Sequence, residues 1–385
     1  MSYATVKSPS TKRRGRLALA AVAIAALSGL SLNATPATAD SADTVQQALN
    51  GLVGKGGFPG TLAAVRDADG RTRDYTAGVG DLKTRDEVPV DGRVRIASNT
   101  KMFTAVVVLQ LVGEGKIELD APIETYLPKL IRGNGNDGRK MTVRQLLQHT
   151  SGLHSYTANM PPILESRHRY TEPRELLDTG LAHKPDFAPG KSWLYSNTGY
   201  VVLGLLVQKV TGRPISEEIT NRIIKPVGLR DTYWPGIGER TIRGAHPHGY
   251  TPDQKKKMVD ITELDPSWGW SAGQLIATPS DVNRFLAALM DGDLLKPAQL
   301  KQMKQTIKAP GLPATWTYGL GLVKIKLSCG ESAYGHGGDI DGYETRTGIT
   351  EDGRAATVAV TALPTSEAGA EQVNAALDTA LCAAK

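Results

Sequence analysis

Ala97-Ser98-Asn99-Thr100-Lys101-Met102 is the stretch from which the rest of the chain can be read. A strand-like run, Arg93 to Ile96, ends just before it. Lys101 to Val112 then carries a dense apolar helical pattern that stops at Gly113 and Gly115. Ser98 and Lys101 therefore share one face of a helix start, a turn apart. A serine hydroxyl is a weak nucleophile until a neighbour takes its proton. A lysine in a dry site can take it, or can hold another base in its reactive state. The unpaired N–H groups of a helix N-terminus favour a developing oxyanion as well. Alone, S-x-x-K is weak, because a plain N-cap followed by a surface lysine reads the same way.

Two further clusters lie downstream. Tyr195-Ser196-Asn197 precedes an apolar helix. A tyrosine beside a cationic lysine can serve as a general base, and the Asn197 amide can meet a substrate carbonyl. A core tyrosine with Asn197 as a helix cap is the plainer alternative. Tyr334-Gly335-His336-Gly337-Gly338-Asp339 reads as a strand whose glycines let a substrate backbone lie close against its edge. A lone histidine is more often structural than catalytic.

Around these clusters, strands bracket a helical middle. Thr61 to Arg66 and Thr72 to Thr76 read as strands. Asn197 to Val210, Ser216 to Ile224 and a helix capped by Ser280 read as helices, as does a segment from Thr142 to Gln148. Tyr318 to Ile325, Ala333 to Gly335, Tyr343 to Ile349 and Ala355 to Thr361 suit an antiparallel meander, closed by a helix from Glu367 to Leu381. The expected organisation is a discontinuous α/β domain, 40–110 with 265–385, and an all-α helical domain inserted over 111–264.

Residues 1–39 read as an export signal. Lys7, Lys12, Arg13, Arg14 and Arg16 precede the apolar stretch Leu17 to Leu30, and Ala37-Thr38-Ala39 is a cleavage site before Asp40. A membrane anchor is the alternative, but the stretch is short for a bilayer span. A secreted protein without an anchor in its mature form is expected. The general secretory route suits the segment better than twin-arginine export. Without the five basic residues of the signal, the net charge falls from +6 to +1, which gives no reason to expect nucleic acid as a partner. Cys329 and Cys382 are an even pair, which in an exported protein points to a bridge; a buried free pair is the alternative. No phosphate loop, metal cluster or cofactor motif is evident, so neither cofactor nor metal is expected.

Taken together, S-x-x-K at a strand-to-helix turn, Y-x-N in the helical middle and H-x-G on a late strand resemble the penicillin-recognising serine hydrolases. Within that group the chain is similar to the secreted D-alanyl-D-alanine carboxypeptidases of actinomycetes. Ser151-Gly152-Leu153, Tyr318-Gly319-Leu320-Gly321-Leu322 and Leu327-Ser328-Cys329-Gly330 extend the likeness. The resemblance implies a beta-lactamase/DD-peptidase-like fold, with an antiparallel sheet flanked by helices and a bridge between Cys329 and Cys382. It implies an acyl-enzyme on Ser98, with proton transfer by Lys101 and Tyr195 and support from Asn197 and His336. The backbone N–H groups of Ser98 and Asp339 would form the oxyanion hole. Gly337 and Gly338 would line the strand edge, and Trp268 would wall the pocket. A monomer acting on small peptides, amides or esters is implied, with beta-lactams as acylating inhibitors. Other outcomes on the same scaffold are a D-stereospecific aminopeptidase or amidase, an esterase, a beta-lactamase, or a penicillin-binding sensor without turnover.

Two departures bear on the substrate. The carboxypeptidases hold the substrate's terminal carboxylate with a threonine after the histidine and an arginine after the Tyr-Gly-Leu-Gly-Leu run. Gly337 and Val323 occupy those positions here, and Asp339 adds a carboxylate. A site lacking that cation should bind a free acid poorly, unless Arg346 reaches in from the neighbouring strand.

Overall fold

The computed structural model describes residues 41–384. The expected export signal, residues 1–39, lies outside the described residues. Among them, no helix is long and apolar enough to cross a membrane.

Nine antiparallel strands form the main sheet: β1 (Gly60–Arg66), β2 (Thr72–Gly78), β3 (Ile307–Lys308), β4 (Thr317–Tyr318), β5 (Val323–Lys326), β6 (Ser332–Gly335), β7 (Gly337–Ile340), β8 (Tyr343–Thr350) and β9 (Ala355–Val360). Their order is β2-β1-β9-β8-β6-β5-β4-β3, and β7 also pairs with β8. The join between the two ends of the chain is β1 on β9, with Leu62 opposite Ala359 and Ala64 opposite Thr357. Side chains alternate across this sheet. Ala355 and Ala359 pack into one core cluster, while Ala356, Val358 and Val360 pack into another. With both faces covered, β9 is buried along its whole length.

The helices that position the site are α1 (Ser41–Gly54), α2 (Thr100–Gly113), α3 (Val143–Leu147), α4 (Asn197–Thr211), α5 (Trp270–Gly273), α6 (Pro279–Met290) and α7 (Glu367–Ala383). Most of α2, Thr100 through Leu109 and Leu111, is buried, as expected of a helix that is apolar all round. Thr142 and Gln145 form a reciprocal capping box that starts α3. Gly212, with φ +71°, ends α4.

Three local readings differ from the structure. Tyr318 to Ile325 is two strands joined by a turn. Gly321 has φ +77°, and a Cβ on Gly319 would fall 2.2 Å from Met303 O, so the chain bends there. The cap of α6 is Thr278, which accepts from the Asp281 N–H; the Ser280 N–H instead donates to Asp91 Oδ1 at 3.0 Å. Ser216 to Ile224 is a short α-helix, Ile215–Ile219, followed by a π turn. Cys329, in the β5–β6 turn, and Cys382 are joined.

Candidate active site

Ser98 lies in a single turn, Ala97–Asn99, between the short strand Val94–Arg95 and α2. Ala97 adopts φ +45°, an uncommon conformation for a residue with a side chain. The turn is held by Asn99, whose Nδ2 donates to Ile96 O (3.0 Å) and to Thr345 Oγ1 (2.6 Å). Thr347 Oγ1 donates to Asn99 Oδ1 at 3.1 Å. These bonds fasten the serine turn to β8. Gly338 of β7 is so near the turn that a Cβ would meet Ile96 O at 2.2 Å.

Lys101 is fully buried, with Nζ 2.9 Å from Ser98 Oγ and 2.7 Å from Ala272 O of α5. The rings of Tyr195 and Tyr200 lie 4.9 and 5.4 Å from the same nitrogen. Burial pushes the Lys101 pKa well below that of a free lysine, with Asp339 opposing weakly. Burial pushes the Tyr195 phenol well above 10, although Ser98 nearby favours its anion. The Tyr195 hydroxyl is buried and completes no hydrogen bond of ordinary geometry. Asn197 is the first residue of α4; its Nδ2 donates to Thr157 Oγ1 at 3.2 Å.

His336 is buried between β6 and β7. Its Nδ1 is 2.5 Å from Gly337 O and its Nε2 is 3.0 Å from Tyr318 Oη. Burial, with Lys101 nearby, pushes its pKa down to about 3, so the ring is neutral at ordinary pH. Both ring nitrogens are thus engaged, with Gly337 O and Tyr318 Oη.

Ser98, Tyr195, Asn197, Trp268, His336, Gly337 and Asp339 line one cavity of about 770 Å³, with Lys101 behind Ser98 and Gly338 beneath the serine turn. Its walls include the apolar and aromatic side chains of Met160, Ile163, Trp193, Leu312 and Trp316. Val323 and Arg346 also line it. Arg346 is committed: Nη1 donates to Asp339 Oδ1 at 2.7 Å and Nε to Asn374 Oδ1 at 3.0 Å. Nη2 lies 2.7 Å from Glu344 Oε1, off the axis of an N–H, so neither Glu344 oxygen completes a hydrogen bond. Desolvation raises the buried Glu344 carboxyl to about 7, against the pull of Arg346. Asp339 is 58% exposed at the cavity mouth.

Asn99, Thr345, Thr347, His149 and Tyr318 were not singled out by the motifs as members of this site. Asn99 sits inside a motif, at the variable place after the serine, and Tyr318 opens the Tyr-Gly-Leu-Gly-Leu run.

The chain matches the Beta-lactamase family over residues 45–381. A D-stereospecific amidohydrolase from Streptomyces sp. superposes with a TM-score of 0.80 at 40% identity, covering 87% of this chain and 98% of that one. The D-amino acid amidase from Ochrobactrum anthropi SV3, in complex with L-phenylalanine, superposes with a TM-score of 0.80 at 28% identity, covering 89% and 98%. Penicillin-binding protein 4* of Bacillus subtilis is 26% identical over 304 residues, 75% of this chain. The chain spans less than two thirds of the curated relatives it matches, 64% of that protein and 38% of Protein flp of Staphylococcus aureus. The fold and the family match extend together across nearly the whole described chain, and the protein therefore belongs to the beta-lactamase family of penicillin-recognising serine hydrolases.

Proposed function

We propose that the protein hydrolyses amides and peptides of D-amino acids that carry a free ammonium group, through an acyl-enzyme on Ser98. The observation that carries this reading is the pairing of Arg346 with Asp339. Arg346 is paired with Asp339 and Glu344 and hydrogen-bonded to Asn374, and Arg169, the other arginine that lines the cavity, is paired with Glu175, so among the described residues a substrate carboxylate would meet no unpaired arginine. Asp339 Oδ2 makes no hydrogen bond among the described residues, and it offers an ammonium group a carboxylate partner. The similarity to a D-stereospecific amidohydrolase and a D-amino acid amidase supports the same substrate class. An actinomycete-type D-alanyl-D-alanine carboxypeptidase would need its carboxylate anchor from elsewhere in the cavity.

In acylation, neutral Lys101 accepts the Ser98 proton as Oγ bonds to the scissile carbonyl carbon. The backbone N–H groups of Ser98 and Asp339 receive the oxyanion. The Tyr195 phenol, kept protonated by burial, donates to the leaving nitrogen as the C–N bond breaks, and Lys101 returns the proton to Tyr195. Water then attacks the ester by the reverse route, releasing the D-amino acid and free Ser98. Asn197 orients the substrate carbonyl, and Trp268 walls the side-chain pocket. Every group of this scheme comes from one chain, consistent with a monomer, and the Cys329–Cys382 bridge suits an exported protein.

The deciding experiment compares kcat/KM for a D-amino acid amide, its ester, an N-acyl-D-Ala-D-Ala peptide and a cephalosporin. The amide and ester should lead. A tenfold preference for the free acid, about 1.4 kcal/mol of transition-state discrimination, would overturn the assignment.

A further inference from the structure

His149, at the end of α3, touches the Tyr195 segment twice. Its backbone O accepts from the Leu194 N–H at 3.1 Å, and its Nδ1 accepts from the Ser196 N–H at 3.1 Å. Tyr195 lies between those two anchor points, with its ring 4.3 Å from the imidazole. The other ring nitrogen, Nε2, is 3.0 Å from Tyr318 Oη, and that hydroxyl is 3.0 Å from His336 Nε2. The string ends where His336 Nδ1 meets Gly337 O.

Both ends of the string dictate one proton arrangement. The Ser196 N–H can only donate, so His149 Nδ1 is bare and Nε2 carries the proton. The Gly337 carbonyl can only accept, so His336 Nδ1 carries its proton and Nε2 is bare. Tyr318 then accepts from His149 and donates to His336, and Tyr200, whose own hydroxyl donates to Leu147 O, has no proton to give to Tyr318. A second proton on His149 would set N–H against N–H at Ser196. Burial with Lys101 of α2 nearby keeps both rings neutral, and Arg346 of β8 adds to this at His336. The neighbouring phenols, Tyr195, Tyr200 and Tyr318, are all pushed above their ordinary range by burial. Asp339 is held in its pair with Arg346.

We propose that His149 is the positioning residue for Tyr195, and that Tyr318 and His336 complete a one-directional hydrogen-bond string tying the Tyr195 segment to the β6–β7 edge. The string moves no proton in the reaction. It sets where the Tyr195 hydroxyl stands relative to Ser98 and to the backbone of β7. This rests on Tyr195 acting as proposed above.

Nitrogen NMR of the whole protein, labelled in its histidine rings, reads the string directly and needs no variant. The expected result is His149 with its proton on Nε2 and His336 with its proton on Nδ1, both unchanged from pH 8 to pH 5. The opposite tautomer at either ring, or a charged ring in that interval, overturns the string. Kinetics on a chromogenic ester tests its purpose. Tyr318→Phe and His149→Phe should each lower kcat about a hundredfold, the cost of a roughly 1 Å misplacement, with KM changed less than about threefold. His149→Asn should recover at least about tenfold over His149→Phe, because its Oδ1 can accept from the Ser196 N–H. Unchanged kcat in folded Tyr318→Phe protein, checked by its near-UV spectrum, sinks the positioning role. Activity that survives Ser98→Ala would refute the proposed function instead, leaving the tautomers as they are.

Discussion

Gly338 passes beneath Ile96 with no room for a methyl group: a Cβ there would sit 2.2 Å from Ile96 O, 2.6 Å from Thr345 Oγ1 and 2.8 Å from Asn99 Nδ2. All three atoms are backbone or members of the hydrogen-bonded clamp, so the strand rather than a free side chain must yield. Gly338→Ala should push β7 off the serine turn and widen the proposed oxyanion site. Acylation by a fluorescent penicillin should slow by at least about a hundredfold. A labelling rate within threefold of wild type would show that β7 is not held by this contact.

Lys101 should set the acid limb of the pH–rate profile. Its folded pKa lies well below 10.5, so the amine gains a proton, and stops acting as a base, as pH falls through that lowered value. kcat/KM for an uncharged ester should therefore rise with pH, with its inflection well under that of free lysine. His336, pushed down to about 3, does not contribute. Lys101→Met should abolish the limb and activity. It should also raise Tm at low pH, where burying the charged amine costs most. A limb unchanged in that variant would assign it to another group.

Asp339→Asn tests ammonium recognition. It should raise KM for a D-amino acid amide by about tenfold, in line with the loss of one charge-assisted hydrogen bond. For an N-acylated substrate it should change little. Placing arginine at Val323 with threonine at Gly337 should move preference towards a free C-terminal carboxylate. Equal losses on both amide substrates would remove Asp339 from the specificity argument.

Glu344 ionises near pH 7 beside Arg346, and its charge competes with Asp339 for that guanidinium. As pH rises through 7, Glu344 becomes anionic, the cluster grows more negative, and a cationic substrate should bind more tightly. The ratio of wild-type to Glu344→Gln KM cancels the titration of the substrate itself. That ratio should fall between pH 6 and pH 8, and a flat ratio would exclude the coupling.

Reducing the Cys329–Cys382 bridge should lower stability by up to roughly 4 kcal/mol, the loop-closure figure for about 50 residues. Cys329 lies in the β5–β6 turn and Cys382 near the end of α7, both away from the cavity-lining residues, so the specific activity of folded reduced protein should persist. Alkylation of two thiols in denatured, unreduced protein would contradict the bridge.

Much of the architecture is legible in the sequence because it depends on neighbours. Apolar periodicity from Lys101 onward marks α2, and Thr142 with Gln145 marks the start of α3 three residues apart. Short runs containing β-branched residues, bounded by turn signals, mark β1, β8 and β9. The serine-to-lysine spacing survives folding because a helix start is a local structure. Tertiary structure decided the environment of those residues. Tyr318 meets His149 across 169 residues, and Thr347 meets Asn99 across 248. The turn that splits Tyr318 to Ile325 depends on Met303 pressing on Gly319. Arg346 looked available as a carboxylate anchor until Asp339, Glu344 and Asn374 were placed around it. Hydrogen-bond saturation, burial and the resulting protonation are properties of packed surroundings, and those surroundings form only when β8 closes over the head of α2.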